Sequence, residues 1–113
     1  MGTSMFLKEK NAGIQIIGCQ PTDGSSIPGI RRWEPEYIPA IFDVSRVDRI
    51  MDVSQEQAVA MTRALARDEG IFCGMSSGGA AYCAVQLAKT LEKGTIVFIC
   101  CDRGDRYLSS DLF

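Results

Sequence analysis

Residues 70–80 place two serines among several glycines directly after a short apolar run, where a β-strand would pass into a helix. The first turn of such a helix offers unpaired backbone N–H groups and the positive end of the helix dipole. The hydroxyls of Ser76 and Ser77 would lie at the same place, and the glycines would let a planar or anionic ligand approach the backbone. The alternative is an ordinary helix capped by a serine.

The same stretch spells Gly-x-Ser-x-Gly over residues 74–78, a pattern typical of the nucleophile elbow in serine hydrolases. The chain contains no histidine, so no Ser-His or Cys-His pair can form within it, and a hydrolase is disfavoured. A serine hydroxyl here can instead hydrogen-bond a neutral heteroaromatic nitrogen without bringing a charge. A pyridoxal phosphate enzyme that performs β-elimination could use that chemistry.

Composition bounds the class of protein. The 113 residues are enough for one small globular domain, and the hydrophobic fraction of 46% and charged fraction of 23% are those of an average soluble domain. A net charge of −2 argues against a nucleic-acid surface or a polybasic membrane patch, so we expect a small-molecule partner. No apolar run approaches the roughly 18 residues needed to cross a bilayer, and no secretory signal is apparent. We therefore expect a cytoplasmic protein.

The cysteines predict a reduced compartment. They are odd in number, lie mostly in apolar runs and include an adjacent pair, which gives no simple disulfide framework. Neither a C-x-x-C pair nor a histidine occurs, so a metal site is not expected. The five residues are Cys19, Cys73, Cys83, Cys100 and Cys101.

Hydrophobic periodicity predicts strands that alternate with helices, hence an α/β fold: a three-layer sandwich with a largely parallel sheet. The long connection Pro21–Ser45 is a candidate active-site wall. The carboxyl ends of parallel strands gather ligands, which places the site in this loop and in the loops Gly74–Gly79 and Asp102–Leu108. The predicted elements are a helix over Gly2–Asn11, strands over Ile14–Gln20 and Val47–Val53, a helix capped by Ser54 and ended by Gly70, a strand over Ile71–Cys73, a helix over Ser77–Glu92, and a buried strand over Thr95–Cys101.

Three segments in the expected order resemble the cysteine synthases, also called O-acetylserine sulfhydrylases, and in particular their B form. They are Gly18–Trp33, Glu69–Ala80 and Cys101–Ser109. The resemblance runs across the whole chain and implies a homodimeric, fold-type II pyridoxal phosphate enzyme. Such an enzyme makes L-cysteine from O-acetyl-L-serine and sulfide, or S-sulfocysteine from thiosulfate.

The resemblance also implies roles for individual residues. Ser76 matches the serine that hydrogen-bonds the pyridine nitrogen of the cofactor, and Ser77 would cap the helix. Two arginines of the substrate loop would give the B form a cationic approach suited to a larger anion, although a merely solvated loop is the alternative. The substrate-binding residues implied by the match are Gly29, Ile30, Arg31, Arg32, Trp33, Cys101 and Asp102.

The family's Schiff-base lysine, its substrate-carboxylate loop and its phosphate cradle have no counterpart among residues 1–113. The expectation is therefore that these residues are the C-terminal portion of the large pyridoxal-phosphate-binding domain, without the small domain and the N-terminal strands. Alone they are expected to be inactive. The alternative is a non-catalytic α/β module or a regulatory dimerisation partner. The residues leave open which sulfur donor is used and whether an acyltransferase binds.

Overall fold

A computed structural model describes residues 1–113 and shows helices packed beside a small parallel sheet. No helix of the chain combines the length and the apolarity that crossing a membrane requires. The regular elements are α1 (Gly2–Lys10), β1 (Ile17–Pro21), β2 (Arg49–Val53), α2 (Gln55–Glu69) and α3 (Met75–Ala88), with single 3-10 turns at Pro35–Tyr37, Val44–Arg46 and Gly104–Tyr107.

The sheet consists of β1 and β2, which run parallel with Ile17 opposite Arg49 and Pro21 opposite Val53. The helices α2 and α3 pack on each other, and α3 also contacts both strands. A compact apolar core lies between these layers, formed by Ile27, Val53, Ala58 and Cys83. The predicted α/β class with a parallel sheet is confirmed.

The helix α2 forms as its sequence predicts. The Ser54 hydroxyl accepts a hydrogen bond from the Gln57 N–H at 3.2 Å, and the Ser54 N–H donates to the Gln57 side chain at 2.8 Å. This reciprocal capping box satisfies N–H groups that the start of a helix leaves unpaired. At the other end Gly70 adopts a left-handed conformation with φ of +68°, which glycine accepts without the steric cost of a side chain.

The two long helices approach each other closely at Gly78. A Cβ atom built on Gly78 would lie 2.5 Å from the Ala58 carbonyl oxygen and 2.8 Å from the Thr62 backbone nitrogen. Thr62 is fully buried at this crossing, and its hydroxyl donates to the Ala58 carbonyl at 2.8 Å. The absence of a side chain at Gly78 therefore sets the distance between α2 and α3.

Two predicted strands are absent. Over Ile71–Cys73 only Cys73 is buried and makes a single antiparallel bridge to Arg103, while Ile71 and Phe72 are exposed. Over Thr95–Cys101 no ladder forms, and Val97 is 81% exposed. An apolar run becomes a strand only when a neighbouring strand supplies partners for its backbone hydrogen bonds. Within residues 1–113 no strand pairs with Thr95–Cys101.

The predicted helix over Ser77–Glu92 is displaced towards the N-terminus, since α3 begins at Met75 and ends at Ala88. After Ala88 the backbone tightens, with the Thr90 N–H bonded to the Leu87 carbonyl and the Thr90 hydroxyl donating to the same oxygen. These bonds satisfy the helix terminus well before Gly94, the residue predicted to end it.

Candidate functional site

The N-terminal turn of α3 is buried and carries both serines. Gly74 is the N-cap residue, and no side chain caps the first turn. Ser77 therefore does not cap the helix as predicted: it is the third helical residue, fully buried, and its hydroxyl accepts a hydrogen bond from the Cys101 N–H at 3.1 Å. Because the helix begins at Met75, Ser77 lies too far into the helix to cap it, and its side chain points to the backbone of Cys101.

Ser76 differs from its neighbour in having no hydrogen-bond partner within the chain, although it is only 8% exposed. Gly29 covers it, because a Cβ built on Gly29 would lie 3.2 Å from the Ser76 Cβ and 3.3 Å from its Oγ. Gly29 has φ of +90°, so a side chain there would be strained as well as crowded. The arrangement leaves one small hydroxyl free at the positive end of a helix.

A tight turn brings the predicted substrate loop onto α3. The Ile30 N–H donates to the Ile27 carbonyl at 3.0 Å, and Ile27 is buried in the core. The Ile30 side chain lies over the backbone of Gly79, where a built Cβ would be 2.9 Å from Ile30 Cδ1. Packing of these isoleucines against the core and α3 thus holds Gly29 beside Ser76.

The two arginines of this loop have different surroundings. The Arg32 guanidinium pairs with Asp52 at 3.1 Å and with Asp23 at 3.6 Å, and its Nε donates to the Pro21 carbonyl at 3.2 Å. Arg31 is exposed and has neither an ion-pair nor a hydrogen-bond partner. Arg32 is thereby tied to the ends of β1 and β2, whereas the charge of Arg31 is free.

Trp33 continues the loop away from α3 and packs on Phe42, with 5.6 Å between ring centroids and an interplanar angle of 55°. Beside Arg31 and Arg32 is an open depression of about 270 Å³, which these two arginines line together with Thr22, Ser25 and Glu34.

Asp102 lies on the other side of the α3 N-terminus. Its carboxylate touches the backbone of Gly74, since a Cβ built there would overlap the Asp102 side chain. The Tyr107 hydroxyl donates to Asp102 Oδ2, and this bond raises the pKa of Tyr107. Asp102 Oδ1 is buried without a partner. Cys101, one residue earlier, is exposed at its side chain and anchored through its N–H on Ser77.

The structure therefore brings the three predicted loops together around the first turn of α3, with Gly29 and Ile30 on one side and Cys101 and Asp102 on the other. Trp33 and the Arg32 guanidinium are directed elsewhere. The prediction gave no role to Tyr107 or Gly74. Tyr107 belongs to the same Asp-Arg-Gly-Asp-Arg-Tyr stretch as Asp102, so the sequence placed the two residues close together. The contact of Asp102 with the Gly74 backbone joins residues far apart in the chain and is visible only in the folded structure.

The sequence family described as pyridoxal-phosphate dependent enzyme matches residues 1–102. The chain belongs to this family. Among individual relatives, it is 57% identical over 113 residues to cysteine synthase B of Pseudomonas aeruginosa and 52% identical over 112 residues to cysteine synthase B of Escherichia coli. It covers 38% and 37% of the length of these two proteins, so it spans little more than a third of them.

Solved structures agree with this assignment. A cysteine synthase from Entamoeba histolytica superposes with a TM-score of 0.88 at 36% identity, over 99% of this chain and 36% of that one. An O-ureido-L-serine synthase superposes with a TM-score of 0.87 at 27% identity, over 100% of this chain and 38% of that one. The fold is thus that of part of a fold-type II pyridoxal phosphate enzyme.

The residues present fit the family's cofactor at one point. The free Ser76 hydroxyl can donate a hydrogen bond to an unprotonated ring nitrogen, and the glycine at position 29 places no side chain against it. No carboxylate of the chain contacts this hydroxyl, which is consistent with a ring nitrogen that stays neutral.

Proposed function

We propose that the protein containing this chain is a pyridoxal-phosphate-dependent cysteine synthase of the B type. In this proposal it replaces the acetoxy group of O-acetyl-L-serine by sulfide to give L-cysteine, or by thiosulfate to give S-sulfocysteine. The identity to two cysteine synthases B over the whole chain supports it. These matches to enzymes do not favour a non-catalytic module.

The observation that carries the proposal is the unpartnered hydroxyl of Ser76, a residue only 8% exposed at the start of α3. Bound pyridoxal phosphate supplies an electron sink for removal of the leaving group from the substrate β-carbon. The Ser76 hydroxyl donates a hydrogen bond to the ring nitrogen and so orients the ring without adding a charge. Gly29 leaves this hydroxyl without a side chain packed on it, because a Cβ at that position would lie 3.3 Å from the Ser76 Oγ.

Substrate binding falls to the residues on either side of this turn. Gly29 and Ile30 form one wall, Cys101 and Asp102 the opposite one, and Arg31 presents a free positive charge at the mouth. An anionic donor gains a charge-assisted hydrogen bond from such a guanidinium. Arg32 and Trp33 hold the loop through Asp52 and Phe42.

The remaining features of the proposal concern the intact protein. We assign residues 1–113 to the C-terminal portion of a large cofactor-binding domain, with the Schiff-base lysine and phosphate cradle supplied by other parts of the protein. We propose a homodimer in the cytoplasm. The five cysteines support the location, because all are free thiols, as a reducing compartment would leave them.

The experiment uses the protein expressed from its complete coding sequence. With added pyridoxal phosphate it should gain visible absorbance that survives dialysis, and it should then release cysteine from O-acetyl-L-serine and sulfide. A folded protein that remains colourless and forms no cysteine contradicts the proposal. A protein that holds the cofactor but leaves O-acetyl-L-serine unchanged keeps the family and overturns the substrate.

A further inference from the structure

The carboxylate of Asp102 is held at the start of α3 without a cation beside it. The Tyr107 hydroxyl donates a hydrogen bond to Asp102 Oδ2, and Oδ1 is buried without a partner. The side chain lies against the N-cap residue of α3, because a Cβ built on Gly74 would be 2.6 Å from the Asp102 Cγ. No lysine or arginine forms an ion pair with Asp102. Its charge is therefore placed by Tyr107 and by the start of the helix.

We propose that Tyr107 is a positioning residue, which keeps the Asp102 carboxylate turned to the start of α3 and so keeps its negative charge away from anionic sulfur donors. The inference rests on the proposed function, in which Asp102 belongs to the wall of the substrate site. It concerns the choice between donors, because a carboxylate released into that wall would repel a doubly charged donor more than a singly charged one.

The start of α3 suits a carboxylate. Its first turn has no side-chain cap, so backbone N–H groups there are left without a helical partner. The positive end of the helix dipole lies at the same place and stabilises a negative charge. Gly74 has φ of −86°, an ordinary value for any residue, so the backbone does not require glycine there. What the glycine provides is room for the Asp102 side chain.

The position of the phenol is fixed by the turn that carries it. This tyrosine ends the 3-10 turn Gly104–Tyr107, which is anchored on residues just before α3. The Gly104 N–H donates to the Phe72 carbonyl at 3.1 Å, and a Cβ built on Gly104 would be 2.7 Å from the Phe72 ring. Arg103 forms an antiparallel bridge with Cys73. The hydroxyl is thus held on the same base as the helix whose start the carboxylate faces.

The protonation state of Tyr107 is the one that this role needs. Its hydrogen bond to Asp102 raises the pKa of the phenol, and burial adds to the effect, while the charge of Arg106 opposes it. The phenol therefore stays protonated at neutral pH and donates to the carboxylate. A donor bonded to one oxygen also withdraws part of the negative charge.

The first test is kinetic and uses the full protein with pyridoxal phosphate. Tyr107→Phe keeps the ring and removes the hydroxyl, which leaves the Asp102 carboxylate free to turn into the wall. If kcat/KM with thiosulfate falls about 10-fold, that with sulfide should fall about 3-fold, because the Coulomb energy doubles with the charge of the donor. Both losses, relative to the parent protein, should shrink at high ionic strength.

Three further variants separate this effect from a structural one. In an Asp102→Asn background, Tyr107→Phe should leave the preference between donors unchanged, because no charge is left to release. Gly74→Ala should lower the preference for thiosulfate as Tyr107→Phe does, since its methyl group would displace the carboxylate. Tyr37→Phe is the matched control, because Tyr37 is 70% exposed and its hydroxyl makes no hydrogen bond in the chain.

A second test needs neither cofactor nor substrate. The full protein is labelled with 3-fluorotyrosine, and the ¹⁹F resonance that Tyr107→Phe removes is assigned to Tyr107. Its shift is then followed over a pH series. Asp102→Asn should lower the pKa reported by this resonance, because the phenol no longer donates to an anion.

Equal losses with both donors in Tyr107→Phe overturn the proposal, as does an undiminished loss in the Asp102→Asn background. An unchanged ¹⁹F titration in Asp102→Asn overturns the link between Tyr107 and Asp102 itself. If Tyr107→Phe does not fold, Gly74→Ala puts the same question to the carboxylate. A full protein that uses neither sulfur donor contradicts the proposed function, whereas the ¹⁹F titration still decides whether Tyr107 holds Asp102.

Discussion

At the scale of single residues, the two serines of α3 have separate tasks in the structure. The Ser77 hydroxyl accepts the Cys101 N–H and so fastens the following segment to the helix, while the Ser76 hydroxyl is unpaired. Replacing the Ser77 hydroxyl removes the acceptor of the Cys101 N–H, whereas replacing the Ser76 hydroxyl breaks no hydrogen bond within the chain. The two positions should therefore respond differently to alanine.

The first prediction concerns these positions in the full protein. Ser76→Ala should fold normally and lose about 1 kcal/mol of cofactor affinity, the worth of one hydrogen bond. Ser76→Asp should cause a larger defect, because its carboxylate favours the protonated ring. Ser77→Ala should instead lower the free energy of unfolding by about 1 kcal/mol, the net worth of its hydrogen bond with the Cys101 N–H. Cofactor titration and urea denaturation measure the two effects. If Ser77→Ala alters the cofactor spectrum and Ser76→Asp does not, the assigned roles are reversed.

The two arginines of the proposed substrate loop, Arg31 and Arg32, have different surroundings in the structure. Arg32 is engaged by Asp52 and the Pro21 carbonyl, while Arg31 is free. Arg31→Ala should lower kcat/KM with thiosulfate roughly 10-fold or more, through loss of a charge-assisted hydrogen bond of about 1.5–3 kcal/mol. The value with sulfide should change much less.

Arg31→Lys is the matched variant, since it keeps the charge and loses the planar fork. It should retain part of the activity with thiosulfate. Arg32→Ala serves as the positional control and should affect both donors alike by loosening the loop. If Arg31→Ala lowered kcat/KM equally with thiosulfate and with sulfide, Arg31 would be an ordinary solvated surface residue without a role in donor binding.

At the scale of elements, the crossing of α2 and α3 depends on Gly78. Gly78→Ala puts a methyl group against the Ala58 carbonyl and the Thr62 backbone, neither of which can move without shifting a helix. Overpacking of this kind costs about 1–3 kcal/mol, more than the roughly 1 kcal/mol by which alanine is the better helix former. The variant should unfold at a markedly lower urea concentration.

Gly79→Ala provides the comparison on the next residue of the same helix. The atom nearest to its new methyl group is the Cδ1 at the flexible end of Ile30. A rotamer change relieves that contact, so the loss of stability should be smaller than at Gly78. A Gly78→Ala variant as stable as the parent would show that the two helices can separate without cost.

The elements also show what could be predicted from sequence. Both ends of α2 were predicted correctly, because the capping groups of Ser54, Gln57 and Gly70 lie within or next to the helix itself. The start of α3 was not, because Ser77 has a partner, Cys101, that is remote in the chain. The strand predicted over Thr95–Cys101 failed for the same reason, since hydrogen-bonding neighbours lie outside any local pattern.

At the scale of the whole molecule, Asp48 connects α1 to the sheet. Its carboxylate accepts the Ile16 N–H at 2.7 Å and pairs with Lys8 of α1 at 2.8 Å. The hydrogen bond from Lys8 is the main cause that holds the pKa of Asp48 below its usual value, followed by the bond from Ile16. A folded-state pKa below the unfolded one means that the unfolded chain takes up the proton first as the pH falls.

The stability that Asp48 contributes should therefore be complete above about pH 4, near the unfolded pKa, and lost as the pH falls through the lower folded value. Asp48→Asn should flatten the dependence of the free energy of unfolding on pH in that acidic range. Urea denaturation over a pH series measures it. Asp111→Asn is the control, since the Asp111 side chain makes no hydrogen bond, and an equal change in both variants would contradict the assignment.

The α/β class of the fold was predictable from the alternation of strand and helix patterns. The site at the carboxyl ends of the strands stays a prediction, based on loop composition and strand order. The relation of Gly29 to Ser76 was not predictable from the residues alone. It depends on a turn held by Ile27 and Ile30 against α3, and such packing is a property of the assembled chain.

A sheet of only two strands has two outer edges, and each edge carries backbone groups without a partner in the chain. The apolar residues Val97 and Ile99 are exposed as well. Unpaired edges and exposed apolar runs are templates for contact between copies. A purified polypeptide of residues 1–113 should therefore aggregate. The cause of its precipitation would be unpaired strand edges and exposed apolar residues, and not a poorly packed core.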